Sequence, residues 1–239
     1  MNLKYTSAGC LIISSEDDCN AIVDVMLSTN YSEEFCFAVD FSTEFVKRLM
    51  KAGFLIMSTI IEDENEDVKA FYLMLPKLHL ERSALFFENL HVKKSIRKHL
   101  SRYELRFDTD FEPILDRCLQ KHGEDWLTPP LVDCIKNIRN NTHDKHSPYP
   151  TSFGLYREGK LVAGEFGVVC GKVYTSYSGY YDEDNAGTVQ LILTTQYLRE
   201  NGYLFFDLGM PMDYKNDLGA VDISPAEFVK LFREGQSNP

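Results

Sequence analysis

The chain lacks any apolar run long enough to cross a bilayer. Residues 54–61 and 71–75 are its most hydrophobic stretches, well short of the roughly 20 residues a spanning helix requires. No secretory leader is expected either. Met1, Asn2, Leu3 and Lys4 lead into apolar residues 10–13 and then an acidic stretch, without the basic, apolar and small-residue sections of such leaders. A cytoplasmic protein with no membrane attachment is expected. Closely spaced cysteines are also absent: Cys10, Cys19, Cys36, Cys118, Cys134 and Cys170 are scattered, with no CxxC pair and no closely spaced histidine partner. Zinc and disulfide frameworks are therefore poorly supported, and buried free thiols are expected. No HExxH or GxSxG string occurs, and residues 182–185 lack the repeated ligands and distal Glu of a calcium loop, so no metal is expected. Positive charge is scarce, with 25 Lys and Arg against 36 Asp and Glu and a net charge of −11. That balance opposes non-specific attraction to nucleic acid, because phosphate neutralisation supplies most of such binding. A nucleic-acid partner must be met by a local basic patch.

What is present suffices for one substantial core, or a small module joined to a larger one: 44% of 239 residues are hydrophobic. A strand at 10–14 precedes a helix opened by Ser15 and Asp18 as a capping box, with Ile22, Val23, Met26 and Leu27 at helical spacing. Ser42 or Thr43 caps a second helix, and Gly53 closes it. Residues 54–61 and 68–75 read as a hairpin around the acidic turn 62–67. Residues 92–102 are predicted as one basic helix with Val92, Ile96, His99 and Leu100 as its buried stripe. Helices follow at 111–121 and from Pro129 behind its cap Thr128. The polar stretch 140–150 is the expected flexible joint. Three antiparallel strands then run 151–157, 160–169 and 173–181, followed by a helix at 186–201, a buried strand at 203–207, and a last helix capped by Ser224. A meander, a crossover helix and a buried strand follow the core order of a GNAT-type acyltransferase, where a splay between central strands admits the acyl donor.

Four short segments carry a more specific likeness: LHVKKSIRKHL at residues 90–100, DWLTPPL at 125–131, GLYREGKLVAGEFGV at 154–168, and NGYLFFD at 201–207 followed by LGA at 218–220. On these, in this order and spacing, the chain resembles the leucyl/phenylalanyl-tRNA–protein transferase family from about residue 40 to 232. The resemblance implies an α/β (α+β) fold with a mixed sheet, a GNAT-like acyltransferase domain at 91–239 and a smaller N-terminal α/β sub-domain at 1–90. It further implies transfer of an amino acid from charged tRNA to the N-terminal amine of a protein, marking it for degradation. The partners would be aminoacyl-tRNA and protein or peptide N-termini, with no cofactor besides the tRNA co-substrate. Such chemistry asks little of the protein. An aminoacyl ester is already activated, a free α-amine has a pKa near 8, and holding the two together in an oriented, partly dry cleft supplies most of the acceleration.

Several site residues follow from the same resemblance. Asp207, ending the buried strand, aligns with the family's active-site aspartate and is expected to hold the incoming ammonium and accept its proton; the plainer reading is a loop cap. The family glutamine two residues later is replaced by Gly209, its acidic residue on the third meander strand by Tyr177, a donor-pocket Met by Glu165, and an aromatic by Met57. The candidate donor pocket is thus Trp126, Glu165, Tyr177, Ser178 and Gly209. A carboxylate at Glu165 would suit a cationic amino acid such as arginine or lysine, unless it points to solvent on an alternating strand. Trp126, the only tryptophan, either stacks on the terminal adenine or seals the core. Lys93, Lys94, Arg97, Lys98 and Arg102 match the family's acceptor-stem contact and are the candidate tRNA-binding residues.

Two other readings stand beside this one. A CoA-dependent N-acetyltransferase on the same fold would need a glycine-rich pyrophosphate loop at a helix N-terminus, and residues 184–188 offer one glycine among acids. A non-catalytic tRNA- or N-terminus-binding module would account for the replacements at Gly209 and Tyr177.

Overall fold

The computed structural model describes residues 3–29, 31–62, 70–142, 144 and 146–237. In chain order the elements are β1 (Lys4–Tyr5), β2 (Leu11–Ile12), α1 (Cys19–Ser28), α2 (Thr43–Ala52), β3 (Leu55–Ile61), β4 (Phe71–Lys77) and β5 (Arg82–Leu85). Then come α3 (Lys94–Arg97), β6 (Glu104–Phe107), α4 (Phe111–His122), α5 (Pro129–Asn141), β7 (Tyr149–Arg157), β8 (Lys160–Cys170) and β9 (Val173–Tyr181). The chain finishes with α6 (Ala186–Glu200), β10 (Phe205–Asp207), α7 (Asp213–Asp217), β11 (Val221–Ile223) and α8 (Pro225–Ser237).

A seven-stranded mixed sheet in the order β11-β5-β10-β9-β8-β7-β6 organises the molecule, with β1-β2 and β3-β4 as separate pairs. Its centre is the meander β7-β8-β9. The first connection is a two-residue turn in which Glu158 and Gly159 both have positive φ, 51° and 77°, the geometry that matches strand twist. Helices cover both faces. Phe45, Leu49, Ile114, Leu115, Ile135 and Phe228 pack with Phe166 on one side, while α6 lays Val189, Ile192 and Leu198 on the other. The sheet takes β5 from before residue 91 and pairs it with β10 and β11. Segments 1–90 and 91–239 therefore share one sheet, and one hydrophobic cluster draws residues from both.

Three local expectations change. Asp18, not Ser15, caps α1, its carboxylate accepting the backbone N–H groups of Asn20 and Ala21. The basic stretch is not one helix: α3 spans four residues and a 3-10 turn at Leu100–Arg102 follows. Lys93 and Arg97, Lys94 and Lys98, and Lys98 and Arg102 are like charges four residues apart, which destabilise a helix, and only Ile96 is fully buried there to resist them. The expected joint at 140–150 is occupied at its ends by α5 and β7; His143 and Lys145, like turn residues 63–67, lie outside the described residues.

The feature that positions a site lies between β9 and β10. These strands pair in parallel only over Phe205–Asp207 against Val173–Thr175. Beyond that point β9 continues to Tyr181 bonded to β8 alone, while the chain after Asp207 turns away through Gly209, whose φ is +69°. The strands thus part at Asp207, and Ser176, Tyr177 and Ser178 are only partly buried along the gap.

Candidate active site

Asp207 closes the floor of this gap and is fully buried. Arg82 grips it with two hydrogen bonds, Nε to Oδ1 at 2.9 Å and Nη2 to Oδ2 at 2.6 Å. The Thr175 hydroxyl donates to Oδ2 at 2.7 Å and the Gly209 N–H to Oδ1 at 3.0 Å. Four donors occupy the roughly four lone-pair positions of a carboxylate. Arg82 itself lies 3.9 Å from the Phe228 ring centroid and donates to the Gly53 carbonyl. Asp207 is therefore a saturated junction of β5, β9 and the turn after β10.

Glu165 presents the opposite case. It does not point to solvent: only 2% of it is exposed. Ser176 donates to Oε2 at 2.9 Å, whereas among the described residues Oε1 has no hydrogen-bond partner. Gln190 and Thr194 of α6 lie beside it, and burial, opposed by Ser176 and these neighbours, pushes its carboxyl up to about 7. Both α6 side chains are buried and bonded to each other at 3.2 Å, a polar notch in the buried side of the helix.

The five residues expected to form one pocket are divided by the sheet. A bulge at Tyr177 sets Ser176 opposite Gly167 and Ser178 opposite Phe166, so Tyr177 and Ser178 share a face that strict alternation would not give them. Tyr177 lies against Phe166, and its hydroxyl accepts the Ile56 N–H at 3.3 Å. Ser178 sits beside the Cys118 thiol of α4. Glu165 and Ser176 face α6 instead. Gly209 is buried, with Leu55 and His79 as the nearest side chains above its Cα. Trp126 is half-buried against the core, and its carbonyl accepts the Ser58 N–H of β3 at 2.9 Å. The hairpin β3-β4 thus reaches both Tyr177 and Trp126.

Three residues to which the sequence reading gave no part in the site complete the arrangement, His79 having been read as a structural histidine. Arg82 carries the ion pair with Asp207. Lys215 of α7 is buried and donates to the carbonyls of Leu208 and Met210 at 2.7 and 2.6 Å, pinning the turn after β10; burial draws its ammonium down to about 8, against the pull of Asp207, Glu165 and Asp222. His79 is buried, and among the described residues its Nε2 has no partner. Only His79, between Leu78 and Leu80, interrupts an apolar run; Arg82 beside Glu81 and Lys215 within residues 213–217 carry no such signal.

Lys93, Lys94, Arg97, Lys98 and Arg102 are all exposed. Lys93 pairs with Asp217 at 2.5 Å; among the described residues the other four have no salt-bridge partner. The His91 N–H donates to Leu218 at 2.9 Å, so this basic surface is docked on the end of α7, the helix whose Lys215 holds the turn beside the gap.

The family model described as leucyl/phenylalanyl-tRNA protein transferase matches residues 84–233. The chain belongs to that family. It is an aminoacyltransferase of the tRNA-dependent kind. A relative named leucyl/phenylalanyl-tRNA–protein transferase from Pseudomonas putida (strain W619) is 32% identical over 163 residues, covering 66% of this chain and 70% of the relative. The protein of the same name from Pseudomonas aeruginosa (strain LESB58) is 28% identical over 165 residues, with the same coverage. Among solved structures, L-PGS from Bacillus licheniformis is 12% identical with a TM-score of 0.45, covering 97% of this chain and 88% of that one. FemX is 11% identical with a TM-score of 0.45, covering 93% and 81%. At that level neither structure bears on the fold or activity of this transferase.

The family match begins at residue 84. Asp207, Glu165, Trp126 and the basic segment lie within it, but Arg82, His79, Leu55 and Ile56 lie before it. Part of the wall around the gap is therefore built from residues before the stretch that the family model matches.

Proposed function

We propose that this transferase moves a cationic amino acid, arginine or lysine, from its tRNA to the N-terminal amine of a protein, tagging that protein for degradation. The sheet would act in GNAT-like fashion, the gap between β9 and β10 admitting the aminoacyl ester. One observation carries the choice of donor: Glu165, buried beside Ser176, Gln190 and Thr194, keeps one oxygen without a partner. A guanidinium or ammonium supplies the missing donor and favours the ionised carboxylate, whereas a leucine or phenylalanine side chain leaves it unpaired at a cost.

The reaction forms an amide between the acceptor amine and the aminoacyl carbonyl and releases the tRNA 3′ oxygen. Proximity in a partly dry cleft accounts for most of the rate. Accepting the amine's proton requires a free lone pair, and the four donors on Asp207 leave none. Its proposed role is therefore positioning: it fixes Arg82, Thr175 and the turn at Gly209. Tyr177 and Ser178, across the sheet from Glu165, would with Trp126 wall the ester and terminal adenosine, the aminoacyl side chain reaching Glu165 through the gap. Lys94, Arg97, Lys98 and Arg102, with Lys93 beside them, would meet the acceptor stem.

The test is transfer to a model peptide from arginyl-, lysyl-, leucyl- and phenylalanyl-tRNA, for the wild type and Glu165→Met. The wild type is expected to favour the cationic donors and the variant to shift toward leucine. A wild-type preference for leucyl-tRNA would remove the cationic assignment.

A further inference from the structure

We propose that His79 is a binding residue for a primary α-amine, accepting one of its N–H groups on Nε2 in the space above Gly209. This rests on the transferase reading, since it names the wall that the reacting amine meets. His79 stands between β4 and β5, 5% exposed, with Nε2 buried and unpartnered. A buried nitrogen without a partner is costly to keep, and a group that pairs with it on binding explains its retention.

A methyl-sized space lies in front of that nitrogen. A Cβ placed on Gly209 would lie 3.8 Å from Nε2 and 3.7 Å from the Leu55 Cδ1, with nothing nearer. Gly209 follows Asp207 by two residues and donates its N–H to that carboxylate. The turn that carries Gly209 runs on to Met210, which is 52% exposed, beside the gap between β9 and β10.

The imidazole is set up as an acceptor. Burial, with Arg82, Lys77 and Lys215 adding to it, holds its pKa down to about 2, so the ring is neutral and its 3.8 Å approach to Glu34 is not an ion pair. Glu34 is fixed by Lys77 at 2.8 Å and by the Leu80 N–H at 3.0 Å. Its carboxylate faces Nδ1 and favours the tautomer with the proton there, leaving the Nε2 lone pair toward Gly209. An amine N–H fits this acceptor.

Two amines meet in the reaction, that of the acceptor peptide and that of the aminoacyl ester, and calorimetry distinguishes them without turnover. Each ligand is used with a free and an acetylated amine: a short peptide, and a non-hydrolysable 3′-aminoacylamido-adenosine. The proteins are the wild type, His79→Phe and His79→Gln. For one of the two ligands, His79→Phe should lose about tenfold of the preference for the free amine, while its Tm is unchanged or higher because an unpaired buried nitrogen is gone. His79→Gln, with an amide oxygen to accept, should recover part of that preference. A lowered Tm in His79→Phe with unaltered amine preference for both ligands would make His79 purely structural and overturn the proposal. A wild type that binds free amines in a His79-dependent manner yet transfers no amino acid would instead count against the transfer reading and leave the amine site standing.

Discussion

Asp207 and Glu165 are both buried carboxylates within the same part of the sheet, yet their surroundings differ in kind. Asp207 has four donors, two of them from a guanidinium; Glu165 has one hydroxyl at hydrogen-bond distance and, among the described residues, an oxygen that Gln190 and Thr194 approach without a formed hydrogen bond. A buried ion pair with every lone pair filled is a fastening that is hard to break from one side. A half-satisfied carboxylate is a cost in the free protein that a ligand can relieve. The contrast separates what holds the site together from what selects its occupant.

The strongest test of that contrast removes the partner of the saturated acid. Arg82→Met leaves Asp207 buried and unpaired and also empties the position over Phe228. A loss of about 3–5 kcal/mol is expected in urea unfolding. The comparison breaks if the loss is below about 1 kcal/mol, because Asp207 would then be no fastening at all.

Glu165 should give the next largest effect, visible in pH dependence rather than in a single stability value. Its folded pKa is raised, from the ordinary 4.5 to about 7, chiefly by burial. Below about 4.5 the group is protonated in both folded and unfolded chains and its contribution is fully present. As pH rises through 7 the unfolded chain has already ionised and that contribution is lost, on the order of 3 kcal/mol in all. Subtracting the profile of Glu165→Gln from that of the wild type should isolate this fall between about pH 4.5 and 7. A flat difference would mean that Oε1 finds a partner in solution.

Much of this framework was legible in the sequence. The meander, the α6 crossover and the short buried strand ending in Asp207 follow from alternation, helical spacing and the turn at Glu158 and Gly159. The hairpin β3-β4 was legible for the same reason. The inner geometry was not. Arg82 and Asp207 are 125 positions apart, and no local periodicity links residues at that distance. Glu165 and Tyr177 were placed in one pocket by the resemblance, and the bulge at Tyr177, which breaks the two-residue alternation, is what sets them on opposite faces of the sheet. The basic stretch failed for a third reason: spacing that gathers cations on one face also makes them repel along a helix.

The bulge gives a test of smaller size that keeps both carboxylates in place. Gly167 lies opposite it, and a Cβ there would fall 2.1 Å from the Thr175 carbonyl oxygen and 2.8 Å from the Tyr174 ring. Gly167→Ala must push β9 away from β8, and Thr175 is one of the donors on Asp207. A destabilisation of about 1–3 kcal/mol is expected. If the fastening and the gap are one unit, transfer should fall with it; full activity in the destabilised variant would show that the edge of the gap tolerates movement and that Asp207 positions nothing critical through Thr175.

The smallest expected effect lies outside the sheet, where charges have no buried counterpart. Arg97 and Lys98 are exposed and, among the described residues, free of acidic partners, so reversing both should leave the unfolding transition in place. Their work is on the ligand. Every phosphate that goes unneutralised should flatten the slope of log affinity against log salt by about 0.7–0.9, and the double reversal should weaken charged-tRNA binding by about tenfold at moderate salt while sparing binding of the isolated acceptor peptide. This outcome would complete the division among fastening, selection and electrostatic capture. Equal weakening of tRNA and peptide would mean that the end of α7, on which the basic surface is docked, transmits the change to Lys215 and the turn at Gly209, joining surface and site into one device.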